Sequence, residues 1–435
     1  MAGPAIVEAL IEAARAHNAI AAVDSEALAA WSALPPGSAP LVLVKDNVAV
    51  AGLPWTAGSP AFADVLAARD ATAVRLLRQH GAILPIKTTL HELAFGVTGA
   101  NGWTGAIANP IDRGRASGGS SGGSAAALAL GLGDLSLVTD TGGSARIPAS
   151  FCGIIGFRPS TGRYPCDGLI GLSPSRDTIG LMARDLRWIE WADAILSGEQ
   201  PVAASDRAGR IGIASAADLG ELEPAVADAY RAMADLLGAA GHVVMQVDLA
   251  QVNALDEACG FPIALRQTYE TLRATAPDLA GIAFEDLVAA VATPDVAHLL
   301  RMASDGVTVP DPVYAEAIGH HWPALRTAYA TLFAGDVDRV LLPTAPLVAP
   351  PIDSGEQLML NSRPAPTFPT LTRFTRPDSM AGLPSISLPF GSDGQGLPIG
   401  MMLIGARHRD GDLLAFARAL IARPDYPAPR LATPI

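Results

Sequence analysis

Three cysteines in 435 residues, Cys152, Cys166 and Cys259, are too few and too scattered for a disulfide framework or a zinc site. No stretch supplies the ~18 uninterrupted apolar residues that a membrane-spanning helix needs. Lysine and arginine form no runs, and a formal net charge of -13 makes nucleic acid or an anionic membrane a poor partner. Charged residues make up only 17% of the chain while 50% is apolar, a composition that builds a large core and excludes disorder. The opening MAGPAIVEALIEAARAH breaks its apolar pattern with Glu8 and Glu12, so it reads as an amphipathic helix rather than a signal peptide. The cytoplasm is the expected compartment. No internal repeat of about 20 to 50 residues is present, and the alanine-richness follows no period.

What is present alternates. Helix patterns at about 6–17 and 23–33 precede the strand-like LVLV at 41–44. From Asp70, the expected N-cap, ATAVRLLRQHG predicts a helix ending at Gly81, and AILPI predicts a buried strand. SAAALALG continues as helix, LSLVT as strand, and a further helix opens after Gly143. Strand-like RIGIA (210–214), a helix at 224–241 and strand-like HVVMQV (242–247) repeat the scheme. Residues 252–335 are expected to be mostly helical with a break near 308–312. RVLLPTAP (339–346) then leads into a proline-rich connection at 348–369, long enough to line a site, and SISLPF, PIGMMLIG and DLLAFARAL end the pattern as strand, strand and helix. The expected class is α/β, with a large mixed sheet covered by helices on both faces.

The chemistry concentrates at 117–149, where SGGSSGGSAAALALG and TDTGGSARIPA set two serines, Ser120 and Ser144, 24 residues apart, each after a glycine pair. A flexible linker fits GGSSGGS poorly, because the segment runs straight into a tightly packing apolar helix pattern. A phosphate-binding loop would want a lysine that is missing here. A serine at a strand-to-helix turn can project its hydroxyl while the N–H groups of Thr141, Gly142, Gly143 and Ser144 converge on one small space. Such an array suits the oxyanion of an acyl-transfer transition state, where one donor contributes about 3 kcal/mol. Ser144 is therefore the candidate nucleophile, with a helix N-cap serine as the structural alternative. For its base, His91 in HELAFG lies on an amphipathic helix pattern that suits packing better. Lys45, at the end of an apolar strand, suits a base whose pKa burial lowers, or else a surface lysine that snorkels.

Together these residues resemble the amidase signature family. The match runs from LVLVKDNVAVAGLPWTAGS through GGSSGGSAAA and TDTGGSARIPASFCGIIGFRPSTGRY to SRDTIGLMARDL, and resumes at FTRPDSMAGLPSISLPFG and GLPIGMMLIG. The resemblance implies one amidase domain over 1–435, with a mostly helical substrate-pocket region at about 252–335 inserted before the C-terminal core strands. It implies a relay of Lys45, Ser120 after a cis peptide bond, and the nucleophile Ser144, supported by Gly119, Ser121, Asp140 and Arg146. The chain departs from the family pattern at Ser117, Val138, Ala145, Ser379 and Met402.

HELAFGVTGANGWTGAIANP and TGRYP are most similar to the indoleacetamide and mandelamide hydrolase branch, which implies aryl or arylalkyl amides. Phe95, Trp103, Leu169, Ile170 and Met380 are the expected apolar walls of the substrate pocket. Hydrolysis of aryl carbamates, anilides or esters by the same residues is an alternative, and an amidase-like subunit of a multiprotein amidotransferase is another. The expected partner is a small-molecule amide, with no cofactor, no metal, no nucleic acid and no membrane, in a monomer or homodimer.

Overall fold

The computed structural model describes residues 4–35, 37–203, 208–304, 309–335 and 337–427. Its strands are β1 (Ile20–Val23), β2 (Leu41–Lys45), β3 (Ile83–Thr88), β4 (Leu135–Asp140), β5 (Ile155–Arg158), β6 (Thr178–Ala183), β7 (Arg210–Ala214), β8 (Val243–Val247), β9 (Arg339–Pro343), β10 (Gln357–Leu360), β11 (Arg363–Pro366), β12 (Ser385–Ser392) and β13 (Pro398–Gly405). Eleven of them form one sheet in the order β1-β3-β2-β4-β6-β5-β12-β13-β9-β7-β8. The sheet is mixed: β3, β2 and β4 run parallel, as do β9, β7 and β8, and the strands between are antiparallel.

Period-two alternation along β2 shows why both faces are covered. Val42 and Val44 join one apolar cluster with the helix Thr72–Gln79, while Leu41 and Leu43 join another with the helices Pro4–Ala16 and Gly122–Ala129. Every residue of Gly122–Ala129 is buried, and its small side chains let it lie close to the sheet. A methyl group on Gly123 would come within 2.5 Å of the Thr89 carbonyl oxygen.

Several boundaries differ from expectation for local reasons. The segment expected to be helical at 23–33 begins as β1 and becomes helix only at Ser25–Ser32, because Asp24 caps it by accepting from the Ala27 N–H at 3.0 Å. Asp70 does not cap its helix. It accepts from the Ala51 N–H and from Arg78, and Ala71 takes the N-cap position. HELAFG is no amphipathic helix: Glu92–Ala94 is a single tight turn with Leu93 and Ala94 in the left-handed region.

Between β8 and β9 the chain is helical, chiefly Ala250–Ala280, Phe284–Ala290, Pro294–Ser304 and Trp322–Ala334. Part of the break expected near 308–312 lies outside the described residues, and Asp311–Glu316 is already helix after Pro310. The proline-rich connection holds a small hairpin of its own, β10 with β11, where Pro364 and Pro366 sit in a two-stranded ribbon that tolerates missing donors. Among the described residues no helix is long and apolar enough to cross a membrane.

Candidate active site

Adjacent parallel strands bring the first groups together. In the register Val44 pairs with Leu137, so the C-terminal ends of β2 and β4 put Lys45 beside Thr139. Open α/β sheets present ligand sites at such strand ends. The Lys45 ammonium is wholly buried, which rules out snorkelling, and its Nζ donates to Ser120 Oγ at 2.7 Å and to Thr139 Oγ1 at 2.8 Å. Burial pushes its pKa down from 10.5 to about 7, against the opposing pull of Asp140 and Asp177. A pKa brought this low suits a lysine that acts as a base near neutral pH.

Ser120 sits in the loop that opens the helix Gly122–Ala129, and the Gly119–Ser120 peptide bond is cis. Gly119 has no room for a side chain, since a methyl there would meet the backbone of Gly96, Val97 and Gly99 at 2.9–3.0 Å. The Ser120 carbonyl accepts from the His91 N–H at 3.0 Å. Ser121 Oγ donates to the Thr139 carbonyl at 3.4 Å, joining the same loop to β4.

Ser144 lies in the turn between β4 and the helix Arg146–Cys152, whose N-cap position is Ala145. Asp140 organises this turn. Its carboxylate accepts from the Gly143 N–H at 2.9 Å, the Ala145 N–H at 3.0 Å, and Arg146 Nε and Nη2 at 3.0 Å each. Burial alone would raise the Asp140 carboxyl, but Arg146 and Arg158 hold it well below the usual range. Thr141 Oγ1 donates to Asp177 at 2.6 Å, and Thr375 Oγ1 donates to the Gly142 carbonyl at 2.7 Å. Since the Gly143 N–H already has an acceptor, the candidate oxyanion donors narrow from four to those of Thr141, Gly142 and Ser144. Two departures from the family pattern also meet here: Arg146 donates to Ser379 Oγ at 2.6 Å and lies 3.3 Å from the Met402 sulfur.

Ser144, Thr141 and Gly142 open into a cavity of about 270 Å³. Of the five expected apolar walls only Phe95 lines it. Trp103 is 42% exposed and lines a separate cleft beside Asp46 and Thr89. Ile170 and Met380 are wholly buried in packing clusters, and Leu169 bridges to Val48 while packing on the main core. Leu169 and Ile170 miss the cavity because their loop bonds along the extension of β2, where the Ile170 N–H donates to the Asn47 carbonyl at 2.9 Å, and only Leu172 of this loop lines the cavity. The wall also includes Phe261, Leu265 and Thr268 of Ala250–Ala280, Leu299 of Pro294–Ser304, Phe368 of the proline-rich connection, and the arginines Arg176 and Arg376. Sequence reasoning named none of these residues. Phe261, Leu265, Thr268 and Leu299 fall within the region at about 252–335 expected to form the substrate pocket, and Phe368 within the proline-rich connection expected to line a site.

A buried amine touching one serine, together with a second serine on a glycine turn that faces an apolar cavity, supplies the groups that acyl transfer uses. The chain matches the amidase family over residues 5–414, and it belongs to that family of amide-hydrolysing enzymes. It is 35% identical over 438 residues to an indoleacetamide hydrolase of Agrobacterium vitis, covering 95% of this chain and 92% of the relative. A mandelamide hydrolase of Pseudomonas putida is 34% identical over 434 residues, covering 94% and 82%. The crystal structure of an amidase, 34% identical, superposes with a TM-score of 0.84 over 97% of this chain and 96% of that one.

Proposed function

We propose that the protein hydrolyses the C–N bond of small aryl or arylalkyl amides through an acyl-enzyme on Ser144. The observation that carries this reading is the 2.7 Å contact between the buried Lys45 amine and Ser120, on the loop beside the cavity that Ser144 enters. In its neutral form Lys45 takes the Ser120 proton, Ser120 takes the Ser144 proton, and Ser144 attacks the carbonyl. Backbone N–H groups of the 141–144 turn stabilise the oxyanion. Ser120 then delivers its proton to the departing amine, and water cleaves the acyl-enzyme by the reverse sequence.

The apolar wall of Phe95, Leu172, Phe261, Leu265 and Phe368 supports an aromatic acyl group. A panel of primary arylacetamides, aryl carbamates and nitroanilides, followed by ammonia and amine release, tests the reading. Ammonia release from the arylacetamides is the expected result. Turnover confined to carbamates, or absent from every amide, overturns it.

A further inference from the structure

Among the cavity's apolar walls stands one buried cation with donors to spare. Arg176, only 5% exposed, is set by its own backbone: its N–H donates to the Ser173 carbonyl and its carbonyl accepts from Arg158 Nη2, both at 2.8 Å. Its side chain reaches the cavity, where Nη1 donates to the Gly260 carbonyl at 3.2 Å. Nε has no hydrogen-bond partner among the described residues. Nη2 lies against the nucleophile turn, so that a methyl built on Gly142 would come within 3.3 Å of it.

The nearby carboxylates bond to other groups, although Asp256 Oδ1 has no hydrogen-bond partner among the described residues. Asp177 accepts from Thr141, Leu172 and Ser173, and Asp256 accepts from Arg376, the other arginine of the cavity wall. Arg376 also donates to Glu257. Arg176 therefore differs from its neighbour: among the described residues it feels the charges of Asp256 and Asp177 but makes no direct ion pair with a carboxylate. A guanidinium carries five N–H donors, and buried donors demand acceptors.

We propose that Arg176 is a specificity-determining residue that donates to a neutral oxygen, hydroxyl or carbonyl, carried by the acyl group next to the scissile carbonyl. The proposal rests on the amide-hydrolase reading above. The position follows from Nη2 lying against Gly142, two residues before Ser144. The preference for a neutral oxygen follows from Asp177 and Asp256, whose negative field already balances the two arginines and would repel a further carboxylate.

The test compares phenylacetamide, its α-hydroxy counterpart and its α-carboxy counterpart as substrates of the wild type, Arg176→Gln and Arg176→Lys. The wild type is expected to favour the α-hydroxy amide in kcat/KM by at least about tenfold, since a site built to bond a hydroxyl rejects the analogue that lacks it. Arg176→Gln should bring that ratio to about unity by slowing the α-hydroxy amide alone, with Arg176→Lys between. Comparing ratios across variants removes the intrinsic reactivity difference between the amides. An equal loss on both amides, a wild-type ratio near unity, or a preference for the α-carboxy amide overturns the proposal.

Calorimetric binding of the same amides to Ser144→Ala supplies a second readout that needs neither Arg176 variant nor turnover. Equal affinities for phenylacetamide and its α-hydroxy counterpart overturn the proposal. Tighter binding of the α-hydroxy amide by a protein that hydrolyses no amide sinks the amidase reading and leaves the role of Arg176 standing. Hydrolysis without discrimination does the reverse.

Discussion

Asp140 and Arg146 face each other through two parallel hydrogen bonds of 3.0 Å, both side chains wholly removed from water. The same carboxylate holds the Gly143 and Ala145 N–H groups on either side of Ser144, so one ion pair sets the shape of the Ser144 turn. Asp140→Asn leaves Arg146 and Arg158 without that negative charge. We expect a loss of about 3–5 kcal/mol in denaturant unfolding, the range for breaking a buried pair from one side. The carboxyl is held below its unfolded value of 3.8, so its contribution is full above that pH and is lost on further acidification. A cost under about 1 kcal/mol would contradict this reading of the pair.

Lys45 gives a pH prediction with a definite sign. Its folded pKa is depressed by burial to about 7, so kcat/KM should rise with pH through that value as the amine becomes neutral. Lys45→Ala should be severely slowed at neutral pH and partly recover at high pH. Between about 7 and 10.5 the unfolded chain holds this proton and the folded chain does not, so stability from this group increases with pH. Lys45→Met should flatten the stability profile in that window by up to about 1.4 kcal/mol per pH unit. Parallel wild-type and variant profiles would contradict the assignment.

Ser144→Ala should form no acyl-enzyme and should resist labelling by a fluorophosphonate, with a thermal midpoint close to the wild type. Ser120→Ala should keep a labelled but slow Ser144. Intact-protein mass spectrometry reads both outcomes, and a labelled Ser144→Ala would disprove the nucleophile.

Glu92 is buried and accepts from Ser59 Oγ at 2.8 Å, the Ala292 N–H at 3.1 Å and the Thr293 N–H at 2.7 Å. It thereby ties the Phe95 loop to the start of the helix Pro294–Ser304, which carries Leu299 into the cavity wall. His91 Nε2 lies 3.4 Å from Asp295 on the same helix. Glu92→Gln should loosen this wall, raising KM several-fold with kcat changed less, and lowering the thermal midpoint. A fall in kcat with KM unchanged would mean that the effect travels through the His91 N–H to Ser120 instead.

The legible parts of this molecule were those whose chemistry depends on neighbours in the chain. Lys45, Ser120 and Ser144 stand out because glycine pairs, small helical residues and an apolar strand end surround them locally. The sheet was equally readable, since β2, β4 and β13 carry short, mostly apolar runs and are buried along their whole length. The cavity was not. Helical periodicity marks Phe261, Leu265 and Leu299 as residues of a helix face but says nothing about which element that face meets. Ile170 and Met380 have the composition of a pocket wall and the burial of a core, a distinction that only long-range packing makes. The engagement of the Gly143 N–H was hidden for the opposite reason: it depends on the rotamer of a side chain three residues away.

The division between β2–β4 and the helices beyond β8 has a consequence for how such a protein diversifies. Lys45 and the Ser144 turn hang from neighbouring strands whose spacing is set by backbone hydrogen bonds, while much of the cavity wall comes from a separate excursion of the chain. Exchanging that excursion for another of matching end points would retool the enzyme for a new acyl group while leaving its reactive chemistry in register.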